Sequence, residues 1–245
     1  MTADLGRLLG EVGAVLLDFD GPVCSVFAGY PAPQVAAELI GVLRRRAIEV
    51  PPDLACEPDP LEVLRYIGAT GDRGATRVLE DAFCAAERRA VETAEPTPYG
   101  REVIVSARQA RLPVVIVSNN SAGAVNIYLA AHRLAGHVCG VIGRAYADPA
   151  RMKPNPEPIL QAVRILGETP GRCVLVGDSL SDIEGAQAAG VRSIAYANRP
   201  RKVAAFKSSG ADSVIASMRD LASALVEMAR LREIRWMVRV KLSSA

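Results

Sequence analysis

The chain has 245 residues, half of them apolar and 23% charged, with a formal net charge of +2. That composition excludes a disordered chain, and the charge leaves no electrostatic footprint for nucleic acid or an anionic membrane. No apolar run approaches the roughly 18 residues of a membrane span, the start Met1-Thr2-Ala3-Asp4-Leu5 lacks a signal core, and Cys24, Cys56, Cys84, Cys139 and Cys173 form no CxxC pair, so a reduced, cytoplasmic protein is expected.

The first predicted element is the apolar run Ala14-Val15-Leu16-Leu17, which reads as a buried parallel strand and leads directly into Asp18-Phe19-Asp20-Gly21. Two carboxylates two residues apart point the same way if the backbone stays extended. Like charges side by side at a strand end are costly, and a hard divalent metal held by oxygens is the simplest compensation. From about 23 to 97 strand-like runs give way to helical stripes: Val35, Leu39, Val42 and Leu43, then Leu61, Leu64 and Ile67, then Val78, Leu79, Ala82, Phe83 and Ala86. The segment Glu95-Pro96-Thr97-Pro98-Tyr99-Gly100 suits a stiff hinge or linker.

Strand and helix then alternate, which predicts a doubly wound parallel sheet. Helices are expected near 100–111, 121–134, 158–166 and 183–189. Strands are expected at 112–117, 138–142, 173–177, 193–196 and 213–215. The run ending at Val117 meets Ser118-Asn119-Asn120, and the run ending at Val176 meets Gly177-Asp178-Ser179. In a parallel sheet such ends share one edge, where open α/β folds place ligands. The tail from Arg230 fits a strand by the alternation of Trp236, Val238, Val240 and Leu242, or a continued helix by Leu221, Leu225, Met228 and Leu231.

Four motifs in order resemble the haloacid dehalogenase superfamily, in its phosphatase and phosphomutase branch. They are Asp18-Phe19-Asp20-Gly21-Pro22-Val23, Val117-Ser118-Asn119, Lys153-Pro154-Asn155-Pro156 and Gly177-Asp178-Ser179-Leu180-Ser181-Asp182, and the resemblance spans about residues 14–198. It implies a Rossmann-like α/β core formed by 1–22 and 98–245, with an all-helical cap domain at 23–97. It also implies roles. Asp18 would be the nucleophile that forms an aspartyl-phosphate. Mg²⁺ would be bound by the Asp18 and Asp178 carboxylates and the Asp20 backbone carbonyl. The Asp20 side chain would serve as general acid, then base. Ser118, Asn119 and Lys153 would bind phosphate, with Pro154 biasing Lys153 toward an extended backbone. Asp182 would support Lys153 or a metal-bound water from behind.

Each residue also has an ordinary explanation. Ser118-Asn119 alone is a helix cap, Lys153 a solvated loop charge, Asp178 a turn residue and Asp182 a helix-start acid. The Asp18–Asp20 pair at the end of a buried run is harder to explain structurally. His132 and His137 have no partner spacing, Cys24 reads as a small buried hydrophobe, and Arg44-Arg45-Arg46 reads as a solvated helix end.

Within the family, an acid at Asp20 and the absence of lysine from 23–97 disfavour dehalogenase and phosphonate-cleaving chemistry. The expectation is a Mg²⁺-dependent phosphatase acting on a small phosphorylated metabolite. A phosphomutase, a non-catalytic binding scaffold and a signalling receiver domain are the alternatives. The segment Glu57-Pro58-Asp59-Pro60 is the candidate substrate-facing loop, and Pro22, where the family more often carries threonine or valine, departs from the motif.

Overall fold

A computed structural model describes residues 2–243, with side-chain environments for 5–234. Its centre is a six-stranded parallel sheet in the order β5-β4-β1-β6-β7-β8. The strands are β1 (Ala14–Leu17), β4 (Val114–Val117), β5 (Gly140–Ile142), β6 (Cys173–Gly177), β7 (Arg192–Tyr196) and β8 (Ser213–Ile215). β1, β4 and β6 are buried throughout, as expected of continuous apolar runs covered by helices on both faces. One face packs on α1 (Thr2–Glu11), α6 (Gly100–Gln109), α7 (Ala122–Ala131) and α11 (Met218–Ser243). The other carries α8 (Glu157–Leu166) and α9 (Leu180–Ala188). A short α10 (Lys202–Ser208) packs through Phe206 against Ile183, Ala195 and Ala197.

From β1 the chain proceeds to β4 and β5 on one side, then crosses to β6, β7 and β8 on the other. The order therefore reverses around β1, which makes the carboxyl ends of β1, β4 and β6 a topological switch point. Register places Leu17 opposite both Ile116 and Val176. Asp18 consequently emerges level with the starts of the Ser118 and Asp178 loops.

Between β1 and α6 the chain forms α2 (Ala32–Arg45), α3 (Pro52–Ala55), α4 (Pro60–Ala69) and α5 (Arg73–Ala90). These helices hold their own apolar cluster, including Val35, Leu39, Leu43, Leu64, Leu79 and Phe83. The predicted stripes supply most of this cluster, with Leu61 and Ala82 at its margin, while Val42 and Val78 are only partly buried and lie outside it. Exit and return run side by side as a two-stranded antiparallel ladder, β2 (Cys24–Ser25) with β3 (Glu95–Pro96). The Thr97 hydroxyl donates to the Gly21 carbonyl at 2.5 Å, so the return segment is tied to the first motif.

α1 has no counterpart in the sequence expectations. Its glycines at 6 and 10 lower helix propensity, yet Leu5, Leu8 and Leu9 are buried and hold it in place. The tail is helical from Met218 to Ser243, which resolves its ambiguity in favour of the Leu221/Leu225 periodicity. The side chains of Trp236, Val238, Val240 and Leu242 lie outside the described residues.

Candidate active site

Asp18 leaves β1 with its side chain almost wholly buried. Lys153 meets it from the segment before α8. Its Nζ donates to Asp18 Oδ1 at 2.8 Å, to Asp182 Oδ1 at 2.5 Å and to the Val117 carbonyl at 2.8 Å. All three ammonium donors are thereby used. Burial opposes the charge on Lys153, but Asp18 and Asp182 outweigh it and raise its pKa. For Asp18 the balance goes the other way: burial, then the charge of Asp182, push its carboxyl up to about 8 against the pull of Lys153. The cluster is short of positive charge.

Asp182 fills two positions at once. Ser179 caps α9, its hydroxyl accepting from the Asp182 backbone N–H at 3.2 Å, and the Asp182 carboxylate accepts from the Ser179 N–H at 3.0 Å. This reciprocal capping box starts the helix at Leu180, three residues before the sequence expectation. It aims the other carboxylate oxygen at Lys153.

Asp178 lies across the cluster. One oxygen each from Asp18, Asp178 and Asp182 falls within a 4.8 Å group. Asp178 Oδ2 accepts from Asn198 Nδ2 at 2.8 Å and from Lys202 Nζ at 2.7 Å. Burial still moves its carboxyl above the ordinary range, with Lys202 opposing. Gly21 sits against this carboxylate with φ +102°, and a Cβ there would collide with both oxygens. Glycine is required on both counts.

Asp20 faces a cleft of about 610 Å³, lined also by Gly21, Ser25, Phe27, Asp178 and Lys202. Its Oδ1 accepts from the Val26 N–H at 2.9 Å. Burial pushes its carboxyl up to about 6, the Val26 bond opposing and Asp178 adding to the rise. Asp59, at the start of α4, contributes to the same rise, so the segment singled out as substrate-facing lies within electrostatic reach of Asp20. A larger depression of about 880 Å³, lined by Arg65, Arg73, Arg77 and Tyr146, contains none of the clustered acids.

Ser118 is buried at the end of β4, its Oγ donating to Asn120 Oδ1 at 3.0 Å and accepting from the Asn120 N–H at 3.1 Å. The Asn119 side chain clamps the Lys153 backbone, accepting from its N–H at 2.9 Å and donating to its carbonyl at 3.1 Å. The Lys153–Pro154 bond is cis. All seven predicted site residues are thus gathered at one sheet edge. His132 stacks on Tyr128 with ring centroids 4.0 Å apart, and Cys24 is buried; both belong to the packing.

Sequence reasoning missed Asn120, Asn198, Lys202 and a buried trio of Glu80, Glu87 and Arg144. Asn198 follows a strand as Ser118 and Asp178 do, so the same end-of-strand signal marks it. Glu80 and Glu87 interrupt the apolar stripe of Leu79, Phe83 and Ala86, and acids on a packed face signal a buried partner.

Residues 12–190 match the haloacid dehalogenase-like hydrolase family model. The chain belongs to this family. Among curated relatives, it is 30% identical over 128 residues to phosphoglycolate phosphatase from Escherichia coli, covering 52% of this chain and 50% of that protein. It is 24% identical over 175 residues to the bifunctional riboflavin kinase/FMN phosphatase of Arabidopsis thaliana, covering 66% and 45%. The chain spans about half the length of these relatives. Among solved structures, a protein described as a predicted phosphatase from Clostridium acetobutylicum superposes with a TM-score of 0.66 at 18% identity, covering 88% of this chain and 99% of that one. A phosphonoacetaldehyde hydrolase-like protein from Oleispira antarctica gives 0.65 at 22%, covering 91% and 94%. These structural likenesses show the fold. Among the described residues, no helix is long and apolar enough to cross a membrane.

Proposed function

We propose that the chain is a Mg²⁺-dependent phosphatase that hydrolyses a small phosphomonoester through an aspartyl-phosphate on Asp18. The observation that carries this reading is the Lys153 ammonium bonded to Asp18 Oδ1 at the edge of a group in which one oxygen each of Asp18, Asp178 and Asp182 lie within 4.8 Å of one another. The donor set suits a hard cation. Asp18 and Asp178 supply anionic oxygens, Asp182 is already committed to Lys153 and Ser179, and the Asp20 carbonyl would complete the protein's share. Bound there, Mg²⁺ would supply charge screening between carboxylate and phosphate.

The side chains then divide the work. An Asp18 carboxylate oxygen attacks phosphorus, and the bond from phosphorus to the ester oxygen breaks. The Asp20 carboxyl gives its proton to that departing oxygen. A pKa near 6 keeps Asp20 able to give a proton and take one back close to neutral pH. Asp20 then takes a proton from water as the water attacks the aspartyl-phosphate, releasing inorganic phosphate and restoring Asp18. The Lys153 ammonium, and the Ser118 hydroxyl once its hydrogen turns from Asn120 to phosphate, would lower the cost of the developing charge on the phosphoryl group. The helices of 32–90 act as a cap that excludes bulk water from the cleft.

The test is release of free phosphate from a panel of phosphomonoesters, with and without chelator. Hydrolysis abolished by the chelator supports the reading, and transfer without free phosphate would replace it with a mutase. Asp20→Ala is expected to slow turnover by about 10²–10⁴-fold while Mg²⁺ binding, followed by calorimetry, is retained. Loss of the ion with the fold intact would overturn the division of roles.

A further inference from the structure

Behind the loop that carries Ser118 lies a buried charge cluster with no part in the proposed chemistry. Arg144, in the turn after β5, has a fully buried side chain, as do Glu80 and Glu87 on one face of α5. Arg144 donates from Nε and Nη2 to Glu80 at 3.0 and 2.8 Å, and from Nη1 and Nη2 to Glu87 at 2.9 and 3.1 Å. Its guanidinium lies 4.3 Å from the centre of the Phe83 ring. Two carboxylates against one cation leave an excess negative charge away from water, which neutral donors must absorb.

Those donors belong to the Ser118 loop. Asn120 Nδ2 donates to Glu87 Oε1 at 3.1 Å, and the Ser121 N–H donates to Glu87 Oε2 at 3.1 Å. Arg144 reaches the same loop, with Nη1 on the Asn119 carbonyl at 2.7 Å and its own N–H on the Asn120 carbonyl at 2.9 Å. Gly143 lets the two loops touch, because a Cβ there would strike the Ala122 and Asn120 backbone. An ionised carboxylate accepts and cannot donate. Glu87 therefore fixes the Asn120 amide with its NH₂ toward α5 and its oxygen toward the Ser118 hydroxyl.

We infer that Glu87, held by Arg144, is a positioning residue that restrains phosphate binding: it fixes the Asn120 amide, whose oxygen holds the one Ser118 hydroxyl hydrogen that phosphate needs. Helix α5 is then part of the phosphate site although none of its side chains lines the cleft among the described residues. This inference rests on the phosphatase reading.

The test measures affinity for inorganic phosphate by calorimetry in the presence of Mg²⁺, well below each protein's Tm. The wild type is compared with Ser118→Ala, Glu87→Gln, Asn120→Ala, the double variant Ser118→Ala/Glu87→Gln, and Arg89→Ala on the exposed face of α5. Glu87→Gln and Asn120→Ala are each expected to tighten phosphate by about tenfold, the scale of one competing hydrogen bond removed, and weaker binding in both overturns the restraint. The double variant should bind no more tightly than Ser118→Ala alone, since one acts through the other. Arg89→Ala should bind as the wild type does. Where Glu87→Gln fails to fold, Asn120→Ala cuts the same link. A lowered Tm with unchanged phosphate affinity in the Glu87 and Asn120 variants, while Ser118→Ala weakens binding, overturns the positioning role alone. Unchanged affinity in Ser118→Ala overturns the phosphate site itself.

Discussion

Two buried clusters in this molecule each set two carboxylates around one cation, and they behave differently. At the sheet edge Lys153 serves Asp18 and Asp182; behind the Ser118 loop Arg144 serves Glu80 and Glu87. A guanidinium offers five donors in a planar fork, and Arg144 places several on each carboxylate. An ammonium offers three, and Lys153 gives one of them to the Val117 carbonyl. The Arg144 cluster is closed by neutral donors from the adjoining loop. The Lys153 cluster borders a third carboxylate and stays electrostatically incomplete, with Asp18 raised to about 8. Burial of charge does not by itself mark a reactive site; a shortage of compensating charge does.

The largest expected effect separates the clusters by chemistry. Asp18→Asn keeps shape and removes the proposed nucleophile, so phosphate release should fall by at least about 10³-fold with circular dichroism unchanged. Near-normal turnover would remove Asp18 from the role assigned to it. Next comes cation rescue. Lys153→Met and Arg144→Met each strand buried carboxylates and should lose about 3–5 kcal/mol in urea denaturation. Added Mg²⁺ should restore part of the loss in Lys153→Met and none in Arg144→Met. Equal rescue of both would mean that the charge shortage is not local to the sheet edge.

A smaller effect is read from pH. Without a cation, Asp18 and Asp20 titrate near 8 and 6 in the folded protein, against an ordinary value of 3.8. The folded state then binds more protons than the unfolded chain between about pH 4 and 8. The contribution of these groups to stability is therefore full below pH 4 and declines as pH rises. The rise in Tm caused by Mg²⁺ should be larger at pH 8 than at pH 5, and Asp18→Asn should narrow that difference. Equal rises at both values would remove the shortage as its cause. The smallest effect is at the surface: the exposed pair Arg89–Glu38 should yield less than about 1 kcal/mol on Arg89→Ala in the same denaturation assay.

Much of the sheet edge was legible because its signals are local. An apolar run ending in an acid or a hydroxyl names both the strand and the position of the side chain, as at Leu17-Asp18, Val117-Ser118 and Gly177-Asp178. Lys153 carried no such mark and was placed by resemblance. α1 escaped because its burial depends on packing partners distant in sequence. The start of α9 was set late because Leu180 and Ser181 carry no apolar periodicity, while the Ser179–Asp182 box that begins the helix is a side-chain event. The Arg144 cluster joins positions 57 and 64 residues apart, and nothing within either segment names its partner.

The paired strands at 24–25 and 95–96 make the helices between them look detachable, since a tight hairpin turn could join the ladder's two ends. Excising them would nonetheless leave a guanidinium stranded in the core, stripped of both its counterions. Grafting a foreign lid onto this scaffold thus calls for two acids spaced seven residues apart on the incoming helix, or for an apolar residue at position 144.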